Sequence, residues 1–543
     1  MDIERQKGHV VESSHSDPTE DGFEMRNYSQ LGGTEADEQE MRMLGRTQQL
    51  NRNFRFISTL GFACTLMSTW EIALMWVIST ERRDEILIDI RTSFFGLLNG
   101  GTAGLVWGYF VVWLGYMLVF ATIAEMASMA PTSGGQYHWV SEFAPRNCQK
   151  FISYLVGWTS VLGWQTGLAS LAFLVGTMIQ GLLVLDNDTY VFERWHGTLL
   201  VIAITAFCII FNTFLAKKLP MVEGLVLIIH LLGFFAVLIP LWVLAPRNSP
   251  KVVFTEFSNL GEWDSKGLSF MVGLLAPIYT LIGADSAVHM SEEIKDASIV
   301  LPKAIMWAAT INGSLGFVMI ITFCFTLGSV FDILETPTGY PFIQVFYNVT
   351  QSKAGTSIMT AIIIVNITSA CISTVATVSR QTWSFARDKG LPFSSFISHV
   401  KPGWNIPLNA VLLTFAITTL LSLINIGSTV AFNAIGSLAV SAILGTYIIS
   451  FVCLILRRLR KEPMPPRRWS LGGVGIFINI GAVCFLLVVW VFVFFPIDKN
   501  VTAKTMNWNV VMFCGTMIFA VIYYLIVGRK QYTAPVDLVK RHL

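Results

Sequence analysis

Apolar residues in this chain occur in long, nearly continuous runs that are separated by short polar connections. Windows of about 20 such residues predict α-helices that cross a membrane, because that length matches the hydrocarbon core of a bilayer. There are about twelve windows, and an even number places both termini on the same side. They lie near residues 56–80, 104–127, 151–184, 197–214, 222–245, 269–290, 304–328, 355–383, 409–426, 429–456, 471–495 and 507–528.

The sixth window is interrupted by glycine and by ionisable residues. The segment from Pro277 to Glu293 includes Gly283, Asp285 and His289. Backbone that leaves helical geometry within hydrocarbon must be buried in protein or line a cavity, and a charge there marks a functional site. We therefore expect a binding site at this break.

The composition supports a membrane protein. Hydrophobic residues make up 53% of the 543 residues, charged residues make up 13%, and the mean hydropathy is +0.60. Such a chain has too much apolar surface to bury inside a water-soluble fold. The predicted fold class is an all-α polytopic membrane protein in a lipid bilayer, with no nucleic-acid partner. None of the eight cysteines lies in a metal-ligand pattern, so no metal or cofactor is expected.

Charges in the connections indicate the orientation. Lys and Arg cluster in alternate loops, which places those loops and both termini in the cytosol. Three glycosylation sequons, at Asn187, Asn348 and Asn500, fall in the loops predicted to be external.

The two ends of the chain differ from the apolar middle. Residues 1–50 are polar and acidic and predict a disordered cytosolic tail without a signal peptide. Residues 51–530 are expected to form the membrane domain, and residues 531–543 a cytosolic C-terminal tail.

Glycines interrupt the apolar windows in a pattern. Gly100 and Gly101 follow the first window, Gly163 lies in the third, and Gly283 lies in the sixth. Interrupted first and sixth spans, five spans apart, indicate an inverted repeat with a binding site near the bilayer midplane.

Three long motifs resemble the fungal amino acid/choline permeases, including GABA permeases, of the amino acid/polyamine/organocation superfamily. The motifs are Ala124–Trp139, Gly283–Glu293 and Ser379–Pro392, and the resemblance covers about residues 45–530. It implies a leucine-transporter-like fold of two inverted five-helix repeats plus two further helices, which works by alternating access. It also implies import of GABA, other amino acids or choline, commonly with protons, at a site between the first and sixth spans.

Two carboxylates within the spans are candidates for proton coupling. Asp285 is expected either to bind a substrate ammonium or a proton, or to cap the half-helix after the break. Glu71, where the family's first helix unwinds, is expected to relay protons, with a structural pair as the alternative. His230 of the fifth span is expected to be a packing histidine, with a proton shuttle as the alternative.

Aromatic and amide side chains on the same spans are further candidates. Aromatic faces attract a quaternary ammonium by cation–π interaction, although single aromatics in membrane helices more often pack or anchor, and amides also bond between helices. The candidate substrate-binding set is Thr69, Trp70, Glu71, Trp164, Gln165, Tyr279, Gly283, Ala284, Asp285, Phe432 and Asn433.

The end of the sixth span predicts a gate. His289, Glu292 and Glu293 lie where this span reaches the cytosol, and we expect them to contact Arg380 or Arg387 when the gate closes. The alternative is a solvated helix end.

Residues 77–93 depart from the family pattern. In relatives, a Thr-Trp-Glu stretch leads within a few residues to a Gly-Gly turn, whereas a charged segment intervenes here, and so many charges cross a bilayer core only at high cost. The segment is either a real loop or translated intron sequence, since its length is a whole number of codons and the codons of Val77 and Ser93 can begin with GT and AG. We favour the intron hypothesis, which sequencing of the transcript tests.

The predicted function is a secondary active permease. It would import a small amino acid or amine, such as GABA or choline, across the plasma membrane by alternating access with proton coupling. The alternatives are a non-transporting nutrient receptor of the same fold, or an inactive paralogue or mis-spliced gene model. No catalytic triad or phosphate loop indicates an enzyme.

Overall fold

The computed structural model describes residues 32–75, 95–328, 336–400, 405–427, 429–502 and 506–539, without the side chains of Phe95 and of residues 429–433. The segment 77–93 and the side chains of Phe432 and Asn433 therefore lie outside the described residues. Within them, β pairing is limited to two isolated bridges, Phe54 with Ile294 and Asn99 with Asn259.

Eleven helices in the described part of the chain are long and apolar enough to cross a membrane. With the interrupted sixth segment they account for the predicted windows and confirm an all-α polytopic membrane protein. The twelve spans are Phe56–Met67 continued by Thr69–Met75, Gly101–Met129, Gln149–Asp186, Arg194–Phe214, Leu219–Leu244, Lys266–Gly273 with Leu275–Leu281 and Ser286–His289, Ala297–Thr326, Lys353–Arg387, Leu408–Gly427, Thr429–Leu459, Gly475–Phe492 and Asn509–Tyr523. Shorter helices are Glu35–Met43, Phe95–Leu98, Gln136–Phe143, Pro250–Thr255, Pro341–Thr350, Ser394–Ile397 and Arg529–Gln531.

Both predicted interruptions are present. The first span breaks at Ser68, which is left-handed (φ 40°) and whose N–H donates to the Cys64 carbonyl. The sixth breaks at Ile282–Asp285, where Gly283 has φ 112°. A Cβ placed on Gly283 would lie 2.9 Å from Leu66 Cδ2, so the two breaks face each other.

Small residues hold the spans around the first break close together. A Cβ on Gly61 would lie 2.5 Å from the main-chain oxygen of Glu223 in the fifth span. A Cβ on Gly316 of the seventh span would lie 2.2 Å from the Tyr109 hydroxyl and 2.8 Å from Thr69 Cγ2. This close approach is the usual packing of membrane helices, in which small residues admit the neighbouring backbone.

Both described chain ends pack on one end of the bundle, which we call the terminal end. The Thr533 N–H donates to the Asp388 carbonyl, and the Val536 N–H donates to the Ser141 hydroxyl. The predicted even number of spans is consistent with this placement.

The prediction of a disordered tail to residue 50 is wrong for residues 34–50, because the helix Glu35–Met43 is packed on the terminal end. Its Asp37 carboxylate is fully buried, lies 3.2 Å from Arg52, and accepts from the Asp296 and Ala297 N–H groups. A carboxylate is buried only with such partners, and these contacts order the segment despite its polar composition.

Candidate functional site

Tyr279, in the last turn before the sixth-span break, connects three spans. Its hydroxyl donates to Ser170 Oγ of the third span at 2.9 Å, and a Cβ on Gly436 of the tenth span would lie 3.6 Å from its ring. Trp164 of the third span lies on the far side of the break, with its ring 5.4 Å from the His289 ring. The third span therefore contacts the sixth span on both sides of the break, through Ser170 with Tyr279 before it and through Trp164 with His289 after it.

Asp285 lies within the break and is fully buried. Gln136 Nε2 donates to its Oδ2 at 2.8 Å, and Tyr447 of the tenth span lies beside it. Asp285 occupies the N-cap position of the helix Ser286–His289, but its side chain makes no capping hydrogen bond. The capping role weighed from the sequence is therefore not what this side chain does.

Several buried polar atoms of the sixth and eighth spans have no hydrogen-bond partner among the described residues. These atoms are Ser286 Oγ, Thr377 Oγ1, and Gln381 Oε1 and Nε2. A buried polar group without a partner costs free energy, so such groups are usually satisfied by water or by a ligand.

The predicted site residues of the first span contact the fifth and seventh spans. Glu71 Oε1 lies 2.7 Å from His230 Nδ1, and Trp70 Nε1 donates to the His230 carbonyl at 3.2 Å. Thr69 packs against Gly316. Glu71 thus has the paired arrangement that the sequence analysis gave as its alternative, while Glu71 Oε2 has no partner among the described residues.

Gln165 makes bonds between helices. Its Nε2 donates to Thr382 Oγ1 of the eighth span at 3.3 Å and to Thr414 Oγ1 of the ninth at 3.2 Å. Its Oε1 has no partner in the part of the chain that the structure describes. Gly283 and Ala284 form the break itself, and Ala284 is fully buried.

The five predicted gate residues lie together at the terminal end. Arg387 donates twice to Glu292, at 2.9 and 2.8 Å, and Arg380 Nε donates to Glu293 at 2.7 Å. His289 Nδ1 lies 2.9 Å from the Ser133 carbonyl, which can only accept, so this nitrogen donates. Glu292 is fully buried, so this helix end is not solvated.

Burial alone would raise the pKa of Glu292, but the Arg387 guanidinium outweighs burial and lowers that pKa to about 2. The carboxylate therefore stays ionised at neutral pH. A further ion pair, Arg46 with Asp388 at 2.6 Å, joins the N-terminal segment to the same cluster, and the Tyr137 hydroxyl also donates to Asp388.

Several residues of these networks were missed from the sequence. Glu223 accepts from Ser373 Oγ at 2.6 Å, and Asn312 Oδ1 lies 3.0 Å from His230 Nε2. An ionisable residue inside a predicted span was the available signal for Glu223. His230 was interpreted as a packing residue, and a proton shuttle was the alternative. Gln136 gave no signal, because its partner Asp285 is far away in the sequence.

Comparisons with known proteins agree with this architecture. A family model described as amino acid permease matches residues 54–519. The choline transporter of Saccharomyces cerevisiae is 29% identical over 488 residues, which cover 89% of this chain and 83% of that protein. The GABA-specific permease of the same yeast is 28% identical over 528 residues, covering 94% and 87%. Amino-acid permease 2 of Neurospora crassa is 26% identical over 520 residues, covering 92% and 90%. With its membrane-spanning helices and a family match over most of its length, the chain belongs to the amino acid permease family.

Proposed function

We propose that the chain is a secondary active permease that imports a small amino acid or amine by alternating access. The observation that carries this proposal is the meeting of two helix breaks, at Ser68 and Gly283, in a bundle where several buried polar atoms have no partner among the described residues. Broken helices present main-chain N–H and C=O groups to a ligand's carboxylate and ammonium. Relatives named for choline and GABA support a substrate of this class.

The proposed substrate site lies between the breaks. Tyr279, Gly283, Ala284 and Asp285 of the sixth span would contact the substrate, and Trp164 of the third span would close the site beside His289. Asp285, a fully buried carboxyl group within the break, is proposed to bind the substrate ammonium or a proton.

The proposed inner gate is the buried cluster at the terminal end. The ion pairs of Glu292 with Arg387 and of Glu293 with Arg380 would separate when the site opens to the cytosol. We place this end and both termini in the cytosol, because the basic loops cluster on this side. The proposed location is the plasma membrane, as an importer of external substrate requires.

Transport itself is tested with purified protein in lipid vesicles. Labelled GABA, choline, and neutral and basic amino acids are offered in parallel, with an inward proton gradient. At least one of them is expected to accumulate, and an uncoupler that removes the gradient is expected to abolish the accumulation. Accumulation that the uncoupler leaves undiminished would contradict proton coupling, whereas binding without flux would indicate a receptor.

Glu71 is proposed to carry the coupled proton. Glu71→Gln is expected to abolish concentrative uptake while the protein still reaches the membrane, because the amide keeps the shape of the side chain and cannot release a proton. Asp285→Asn, assayed in parallel, separates the two candidate carboxylates. Wild-type accumulation by the Glu71→Gln protein would remove Glu71 from the mechanism.

A further inference from the structure

A continuous chain of hydrogen-bonding groups connects the first, fifth and seventh spans. It runs from Glu71 Oε1 to His230 Nδ1 at 2.7 Å, and from His230 Nε2 to Asn312 Oδ1 at 3.0 Å. It ends where Asn312 Nδ2 donates to the Cys64 carbonyl at 2.9 Å, one turn before the break at Ser68. All the side chains that make these hydrogen bonds are fully or almost fully buried.

The end of this chain fixes the position of one proton. The Cys64 carbonyl can only accept, so Asn312 must present its NH₂ group to it and its Oδ1 to His230. An amide oxygen also can only accept, so Nε2 of His230 must carry a hydrogen. The other ring nitrogen, Nδ1, therefore makes the hydrogen bond to Glu71, whether the carboxyl group is protonated or ionised.

The hydrogen bond between Glu71 and His230 consequently needs one further proton. If that proton is on Nδ1, the pair is a carboxylate with an imidazolium. If it moves to Oε1, an N–H bond breaks, an O–H bond forms, and both groups become neutral. The second carboxylate oxygen, Oε2, is buried and has no hydrogen-bond partner among the described residues.

We propose that His230 shares the transported proton with Glu71, and that Asn312 is a positioning residue that fixes the histidine tautomer. This inference rests on the proposed function and specifies its coupling site. The Cys64 thiol of the first span faces Glu71, the Trp70 ring lies 6.0 Å from the His230 ring, and Phe234 packs against Trp70. Through Asn312, His230 is connected to the Cys64 carbonyl, which also accepts from the Ser68 N–H at the break in the first span.

The test compares two variants, each of which alters a hydrogen bond between the fifth and seventh spans. His230→Asn keeps an N–H donor on the side chain but has no group that gains or loses a proton near neutral pH. Thr322→Val is the matched control, because it removes the bond from Trp242 Nε1 to Thr322 Oγ1 at 2.9 Å, which involves no titratable group.

Labelled GABA and choline are the probes, in vesicles, with two readouts. His230→Asn is expected to retain exchange of labelled for unlabelled substrate and to lose both accumulation and the pH dependence of uptake. Thr322→Val is expected to keep the wild-type pH profile. Accumulation with a wild-type pH profile in the His230→Asn protein, or an equal change of profile in the Thr322→Val protein, would overturn the proposal.

A second measurement needs neither substrate nor the His230 variant. Infrared difference spectra of the purified protein at two pH values are expected to show a carboxyl band that is absent from the Glu71→Gln protein. A Glu71 band that does not respond to pH overturns the proposal even if His230→Asn fails to fold. If the wild-type protein moved none of GABA, choline, and the neutral and basic amino acids, the proposed function alone would be contradicted, and this measurement would still decide the proton site.

Discussion

Replacing Arg387 by methionine is expected to destabilise the protein by about 3–5 kcal/mol, because the change leaves the Glu292 carboxylate buried without its partner. Arg387 makes two hydrogen bonds to that carboxylate, and only 13% of the Arg387 side chain is exposed. The measurement is the unfolding transition of the purified protein, followed by the fraction that remains monodisperse after heating.

An exposed ion pair of the same protein is the control. Lys353 lies 3.2 Å from Asp188 with 45% and 89% of their side chains exposed, so Lys353→Met is expected to cost at most about 1 kcal/mol. Adding Glu292→Gln to Arg387→Met is expected to recover part of the loss, because it removes the uncompensated charge. Equal stability of the Arg387→Met and Lys353→Met proteins would show that the buried pair does not hold this end closed.

The pH dependence of this contribution follows from the lowered pKa of Glu292. The folded-state pKa is about 2, below the ordinary value of 4.5. A carboxylate with a lowered pKa stabilises the fold above its ordinary pKa, and the contribution is lost as the pH falls from that value towards 2. The gate pair is therefore insensitive to pH near neutrality, which leaves pH-dependent transport to other groups.

Replacing Gly283 by alanine is expected to abolish or strongly reduce uptake without preventing membrane insertion. Gly283 has φ 112°, a conformation that costs a residue with a side chain about 1–3 kcal/mol. A Cβ there would also lie 2.9 Å from Leu66 Cδ2, across the meeting point of the two breaks. A cost of this size changes a conformational equilibrium by roughly 5- to 150-fold.

Gly224→Ala is the matched control for this change. Gly224 lies within the fifth span, and a Cβ there would meet nothing within 4 Å. Uptake and surface abundance are measured for both variants, and the Gly224→Ala protein is expected to resemble the wild type. If Gly283→Ala transports as well as Gly224→Ala, the strained break is not required for transport.

The fold could be predicted because its main determinants are local. Membrane-length apolar runs define the spans, and a glycine beside a carboxylate within such a run indicates a break, as Gly283 and Asp285 do. The break in the first span was expected near Glu71 and lies at Ser68, whose left-handed conformation no local sequence rule singled out.

The partners of the site residues could not be predicted, because they come from distant parts of the chain. Glu71 and His230 are 159 residues apart, and Asp285 and Gln136 are 149 apart. No single sequence without an alignment contains those pairings. The same reason explains why His230 was interpreted as a packing residue although it is bonded through both ring nitrogens.

The N-terminal helix has a consequence for where the folded unit begins. Asp37 accepts from the main-chain N–H groups of Asp296 and Ala297, at 3.1 and 3.4 Å, where the seventh span starts. The start of the seventh span is thus capped by a residue that precedes the first span in the same chain. Such caps contribute typically about 1 kcal/mol. Thermodynamically, the membrane domain starts near Thr34 and not at its first apolar residue, so a deletion or fusion joint placed between Thr34 and Arg52 would disturb a helix more than 240 residues away in the sequence.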